Sequence, residues 1–178
     1  TLAAGCRDGS VWIWRLDAGA APHLLRTQDI HAGVITRLAF SPDSTRLLTA
    51  GTDGVARLVA AQSGAVLGEP MAHTDALGDA RFDSQGRRIV TASDDGSARV
   101  WDAASGRPLG PPLRPQGGVT QAQFSLDGRF VLTRNQDAIE VWHAGSGTLV
   151  LPHFASDQPV AGAGFSPDSR QLWVVSEH

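Results

Sequence analysis

The chain has 178 residues, 42% hydrophobic and 19% charged, with a formal net charge of −3. That is long enough to bury one sizeable core and has a globular rather than a disordered, collagenous or membrane composition. All fifteen basic residues are Arg, which excludes within this chain a P-loop lysine, a Schiff-base lysine and the phosphate-pairing lysine of a protein kinase. Cys6 is the only cysteine, so no internal disulfide is available and a reducing, cytoplasmic setting is expected. No apolar run reaches 18 residues, and the Arg residues are scattered, with Arg87-Arg88 the only adjacent pair. The expectation is no membrane span and no nucleic-acid partner. Because the chain opens at Thr1 rather than Met, a longer parent protein is expected.

In chain order, the first marker is the Asp8-Gly9 pair, followed by Asp53-Gly54 and Asp95-Gly96, each the signal for a tight two-residue hairpin, with the less regular Gln136-Asp137 in fourth place. A second series follows Phe40, Phe82, Phe124 and Phe165, which are 42, 42 and 41 residues apart. Their turns are Ser41-Pro42-Asp43-Ser44, Asp83-Ser84-Gln85-Gly86, Ser125-Leu126-Asp127-Gly128 and Ser166-Pro167-Asp168-Ser169, where Pro fixes φ and Asp or Ser bonds the local backbone. A third series is Ser63-Gly64, Ser105-Gly106 and Ser146-Gly147. Three turn series per repeat cut each repeat into four short strands, and segments such as Arg46–Ala50, Arg88–Ala92 and Arg129–Thr133 have strand composition. The expected fold class is all-β, with four-stranded antiparallel units repeated about every 42 residues.

Ala72-His73, Phe82, Ser93-Asp94-Asp95-Gly96 and Val100-Trp101-Asp102 give this repeat its resemblance to the WD-repeat β-propeller family, and four turns in register extend the resemblance over the whole chain. The resemblance implies a β-propeller segment with three complete blades (Val34 to Gly68, Ala76 to Leu113 and Val119 to Val150) and two partial ones. As domains, a single propeller segment 1–178 divides into a partial blade 1–26, blades 31–69, 73–113 and 117–151, and a partial blade 158–178. A fragment of a larger ring is expected, with a closed four-bladed ring as its rival. The family pattern also implies a buried hydrogen-bonded chain of His73, Asp95, Trp101 and a strand hydroxyl, Thr91 or Ser93. Val59 replaces Trp in the second unit and Gly117 replaces His in the fourth, so the chain is expected complete only between His73 and Asp102.

Candidate chemistry is sparse. The six His residues show no zinc-helix spacing and no paired Cys, so no metal and no cofactor are expected. Gly162-Ala163-Gly164 and Gly117-Gly118 precede no helix that could bind an anion. Ser146 belongs to a periodic turn, not a nucleophile elbow. Asp95 is a turn residue with Asp94 as its solvated neighbour, which leaves no acid–base pair. Trp12 stands in the column of Arg57, Arg99 and Glu140; it is either an aromatic anchor for a partner or a side chain packed on a preceding blade.

The resulting expectation is no enzyme but a non-catalytic scaffold for protein or peptide partners, signalling among its roles, with a small-molecule substrate not expected. By the family's habit the partner face would carry Arg7, Asp75, Gln116, Arg134 and Asn135. A second reading is a regulatory or sensory arm of a larger bacterial protein kinase or nucleoside-triphosphatase. It rests on Gly106-Arg107-Pro108-Leu109-Gly110-Pro111-Pro112-Leu113 and on the Arg-, Ala- and Gly-rich composition. A third, a propeller hydrolase or lyase, needs convergent His or carboxylate residues that the sequence does not single out.

Overall fold

The computed structural model describes residues 1–16, 21–156 and 158–176, with the backbone alone at 25–28. The end of the expected last unit, 177–178, lies outside the described residues, and with it His178. Among the described residues every regular element is a strand. The first sheet contains β1 (Leu2–Gly5), β2 (Ser10–Arg15) and β3 (His23–Asp29). The second contains β4 (Ile35–Phe40), β5 (Arg46–Gly51), β6 (Val55–Ala60) and β7 (Val66–Ala72). The third has β8 (Leu77–Phe82), β9 (Arg88–Ser93) and β10 (Ala98–Asp102). The fourth has β11 (Gln121–Phe124), β12 (Phe130–Arg134), β13 (Ala138–His143) and β14 (Leu149–Ala155), and the fifth β15 (Val160–Phe165) and β16 (Leu172–Ser176). Neighbouring strands are antiparallel and follow chain order, as short turns dictate.

The third unit departs from the expected four full strands. Its outermost segment is reduced to two isolated bridges, Trp101 with Pro108 and Ala98 with Leu113. The cause lies in Pro108, Pro111 and Pro112, which donate no N–H to a ladder.

The turns after the Phe column share one left-handed position, occupied by Ser44 and Ser169 (φ 59° in both) and by Gly86 and Gly128 (φ 67° and 70°). Glycine suits it without a Cβ penalty, while the two serines hold a strained conformation. Three of the four turns are closed by the Asp before this position, the hydroxyls of Ser41 and Ser166 donating to Asp43 and Asp168 at 2.5 Å and that of Ser125 to Asp127 at 2.6 Å.

Apolar side chains bury themselves between sheets rather than within one. Leu48, Ala50, Leu58 and Met71 of the second sheet pack on Leu77, Ala80, Ile89 and Trp101 of the third. Val90, Ala92, Val100 and Leu113 of the third pack on Val119, Ala122, Val131 and Trp142. Alternation along a strand produces this arrangement, because successive residues face opposite neighbours. The innermost strands add a polar ladder: the Arg37 guanidinium lies 3.2 Å from Asp79, Arg81 donates from Nε to Asp79 at 2.8 Å and from Nη1 to Gln123 at 3.1 Å, and Gln123 reaches the Ala163 carbonyl at 2.9 Å. At the opposite end of the strands Arg46 donates to the Gly86 carbonyl and Arg88 to the Gly128 carbonyl, both at 2.6 Å, binding each sheet to the next.

Candidate interaction face and the hydrogen-bond chains behind it

The middle of the third sheet brings four side chains together. His73, entering from the loop before β8, has Nδ1 3.0 Å from Asp95 Oδ2 and Nε2 2.7 Å from Thr91 Oγ1. Trp101 Nε1 donates to the same Thr91 oxygen at 2.8 Å. Burial holds the His73 pKa below its ordinary value despite Asp95 beside it. The ring is therefore assigned as neutral, its Nδ1–H donating to Asp95 and its Nε2 accepting from Thr91. For Asp95, burial pushes the carboxyl up, but hydrogen bonds from Ser97 and His73 outweigh it and hold the pKa below the usual carboxylate range. Ser93 stands apart from the ring: its hydroxyl donates to the Asp75 carbonyl at 3.0 Å and accepts the Asp95 N–H at 3.1 Å. Of the two hydroxyls considered from sequence, Thr91 is the one that meets His73.

The second sheet builds the same junction without a Trp. His31 lies 2.9 Å from Asp53 and 2.8 Å from Thr49, and Arg57 reaches Asp53 at 3.1 Å. The position vacated by an indole at Val59 is not matched by a weaker turn, because Arg57 anchors the aspartate from the next strand. Burial lowers the His31 pKa; the Asp53 carboxyl is raised by burial and lowered further by His31, the Ala32 N–H and Arg57, with a net shift down.

The fourth sheet substitutes again. Trp142 Nε1 donates to Thr133 at 2.9 Å, but the His position is Gly117, whose φ of 74° is one that histidine adopts only under strain. Asn135 closes the turn instead, accepting the N–H groups of Asp137 and Ala138 at 2.9 and 2.7 Å and donating to the Gln116 carbonyl at 3.2 Å. Buried Glu140 accepts the Gln116 N–H at 3.0 Å, with His153 Nδ1 at 3.4 Å. Neither Glu140 nor His153 stands out as a site residue in sequence; the available signal is Glu140 reversing the charge of the Arg57 and Arg99 column.

These junctions sit along one edge of the sheets, where turns and loops alternate in contact. Gly9 O accepts from His31 N, Gly54 O from His73 N, and Asn135 meets the 116–118 loop. On this edge Arg7, Asp75 and Gln116 are exposed. Arg134 and Asn135 are half-buried and spent on the fold, Arg134 donating to the Val160 carbonyl and Asn135 closing its turn. Trp12 is 37% exposed, leans on Trp14 with ring centroids 5.9 Å apart, and donates its indole N–H to the Ser10 hydroxyl at 3.3 Å, which in turn bonds Asp8 of the turn on this edge. Among the described residues no group of three His, Cys, Asp or Glu is arranged to hold a metal ion.

Comparison with known proteins agrees with this geometry. The family model "WD domain, G-beta repeat" matches residues 22–59 and 64–102. Angio-associated migratory cell protein of Homo sapiens is 35% identical over 79 residues, covering 42% of this chain and 18% of that protein, and the Pongo abelii protein gives the same figures. The Canis lupus familiaris protein is 38% identical over 64 residues, 36% of this chain and 15% of its own length. The chain thus spans less than a fifth of these relatives. The family match and the repeated strand order agree on one assignment: residues 22–59 and 64–102 are WD40 repeats, and the all-β sheets of the chain have the build of β-propeller blades.

Proposed function

We propose that the chain is a non-catalytic interaction scaffold whose loop edge, at Arg7, Asp75 and Gln116, receives a protein or peptide partner in a cytoplasmic setting. WD40 repeats generally mediate protein–protein interaction and are typically not enzymes. The observation that carries the reading is a division of labour along one edge. The residues with catalytic chemistry, His31, His73, Asp53 and Asp95, are engaged with one another and with strand hydroxyls. Exposed side chains of the neighbouring loops stand over them on a continuous, hydrogen-bonded edge. A rigid edge with free side chains suits recognition, since little conformational freedom is lost on binding.

A photo-crosslinking side chain at position 75 of the intact protein tests this in cell extract. Enrichment of discrete proteins cross-linked at position 75, and not from a control probe at Asp43 on the opposite end, is the expected result. No enrichment, or equal enrichment from both probes, overturns the reading.

A further inference from the structure

We propose that Ser93 and Asn135 are positioning residues for the partner loops, Ser93 fixing the placement of Asp75 and Asn135 that of Gln116, a role that rests on the interaction reading above. The two stand at one position of the repeat, two residues beyond Thr91 and Thr133, which pair with Arg99 and Glu140 in the same register; Gly51, two beyond Thr49, is their counterpart in the second unit.

In the third unit the wholly buried Ser93 hydroxyl donates to the Asp75 carbonyl at 3.0 Å and accepts the Asp95 N–H at 3.1 Å. The same carbonyl lies against the preceding unit's turn, where a Cβ on Gly54 would come within 2.9 Å of it. The Asp75 backbone is thereby held from two sides while its side chain stays on the exposed edge. In the fourth unit an amide does the same work. Asn135 Nδ2 donates to the Gln116 and Gly118 carbonyls at 3.2 and 3.4 Å, and Oδ1 accepts the Asp137 and Ala138 N–H groups at 2.9 and 2.7 Å. Two carbonyls on one side and two N–H groups on the other settle which end of the amide is which. Gly117 leaves room for the contact, since a Cβ there would lie 3.0 Å from Nδ2.

The second unit folds without this bond. A Cβ on Gly51 would lie 2.8 Å from His31 Nδ1, and the loop is tied instead by Thr52, whose Oγ1 accepts the Val34 N–H at 3.0 Å and whose N–H donates to the Val34 carbonyl at 2.9 Å. That loop carries Ala32, Gly33 and Val34, none of them a candidate partner residue. The His–Asp–Thr junction is the same in the second and third units, whereas the side chain at 51, 93 and 135 changes with the loop it faces. Ordering a loop before the partner arrives reduces the conformational freedom lost on binding.

Asn135→Asp is the direct test, because it keeps the shape and the acceptor for the Asp137 and Ala138 N–H groups but replaces the donor that holds the loop. Photo-crosslinking side chains at positions 75 and 116 of the intact protein, used in cell extract, read the two loops separately and leave the held carbonyls in place; amide hydrogen exchange reads loop order without a partner. Asn135→Asp should speed exchange of the Gln116 amide about fivefold, leave the Asp137 and Ala138 amides protected, and lower capture from position 116 about fivefold with capture from position 75 unchanged. Ser93→Ala should lower capture from position 75 alone. Equal losses at both positions, or unchanged exchange of Gln116 in Asn135→Asp, overturn the positioning role. If the unaltered protein captures nothing from either position, the interaction reading falls and the role with it; capture that survives both substitutions overturns the role alone.

Discussion

Trp101 and Thr91 are diagonal neighbours on adjacent strands, joined by an Nε1–H···Oγ1 bond of 2.8 Å, and Trp142 repeats the bond to Thr133 at 2.9 Å. The difference between the two units lies beyond the hydroxyl: Thr91 passes the chain on to His73 and Asp95, whereas in the fourth sheet no ring follows. Thr91→Val should therefore cost more stability than Thr133→Val, because it strands both an indole donor and a ring nitrogen. The expected loss is about 2–3 kcal/mol against about 1 kcal/mol, read from denaturant unfolding of the intact protein.

Asp95→Ala and His73→Ala should each cost about 1–3 kcal/mol, and the double variant less than their sum, because the two share one network. An additive double variant in the same unfolding experiment would mean that the two residues act independently.

Removal of Asp53 should be about as costly as removal of Asp95. The sequence reading, which sees Val59 where a Trp is expected, leaves this junction short of a member. The structure supplies Arg57, which with His31 would lose its carboxylate in Asp53→Ala. Comparable unfolding midpoints for Asp53→Ala and Asp95→Ala check this.

Acidification should destabilise the protein in two windows. His31 and His73 have pKa values below the ordinary 6.5, so the unfolded chain takes up protons first and stability falls as the pH drops below about 6.5. Asp53 and Asp95 are held below the ordinary 3.8, so their contribution, present above that value, is lost as the pH falls further through it. Urea midpoints between pH 7.5 and 5 should decline, and His73→Gln should flatten that slope.

Arg88 donates to the Gly128 carbonyl at 2.6 Å and to Asp83 at 2.9 Å, and its guanidinium lies 4.9 Å from the Phe124 ring centroid. Lysine reproduces one of these contacts at a time, so Arg88→Lys should cost about 1–2 kcal/mol in thermal or denaturant unfolding despite keeping the charge.

The repeat is legible in the sequence because its turns are local chemistry: Asp-Gly pairs and the Phe-headed turns need particular residues at fixed offsets, whatever lies elsewhere. His73, Asp95 and Trp101 become visible through the same spacing. The substitutes are harder to see. Arg57 bonds Asp53 four residues away but also meets His31 at a separation of 26 residues, and Glu140 accepts from Gln116 at a separation of 24; composition does not distinguish a charge turned toward a loop from one facing water. Arg46 and Arg88 do recur at the repeat's interval, so reading the columns for conserved spacing would have exposed the bonds between sheets. The reduced outer strand of the third unit was readable too, since three prolines in five residues at 108–112 remove the ladder donors. The family resemblance places Arg134 and Asn135 on the partner face beside Arg7, Asp75 and Gln116, and only side-chain geometry separates the two sets.

The proposed division between a partner-binding edge and a network that holds the fold is tested most directly by comparing two variants of the intact protein in cross-linking capture at a temperature where both remain folded. One carries Arg7→Ala, Asp75→Ala and Gln116→Ala; the other carries His73→Ala alone. The triple variant should lose the captured proteins with its unfolding midpoint little changed, while His73→Ala should retain them with a lowered midpoint. Capture that survives the triple substitution but disappears with His73→Ala would contradict the account.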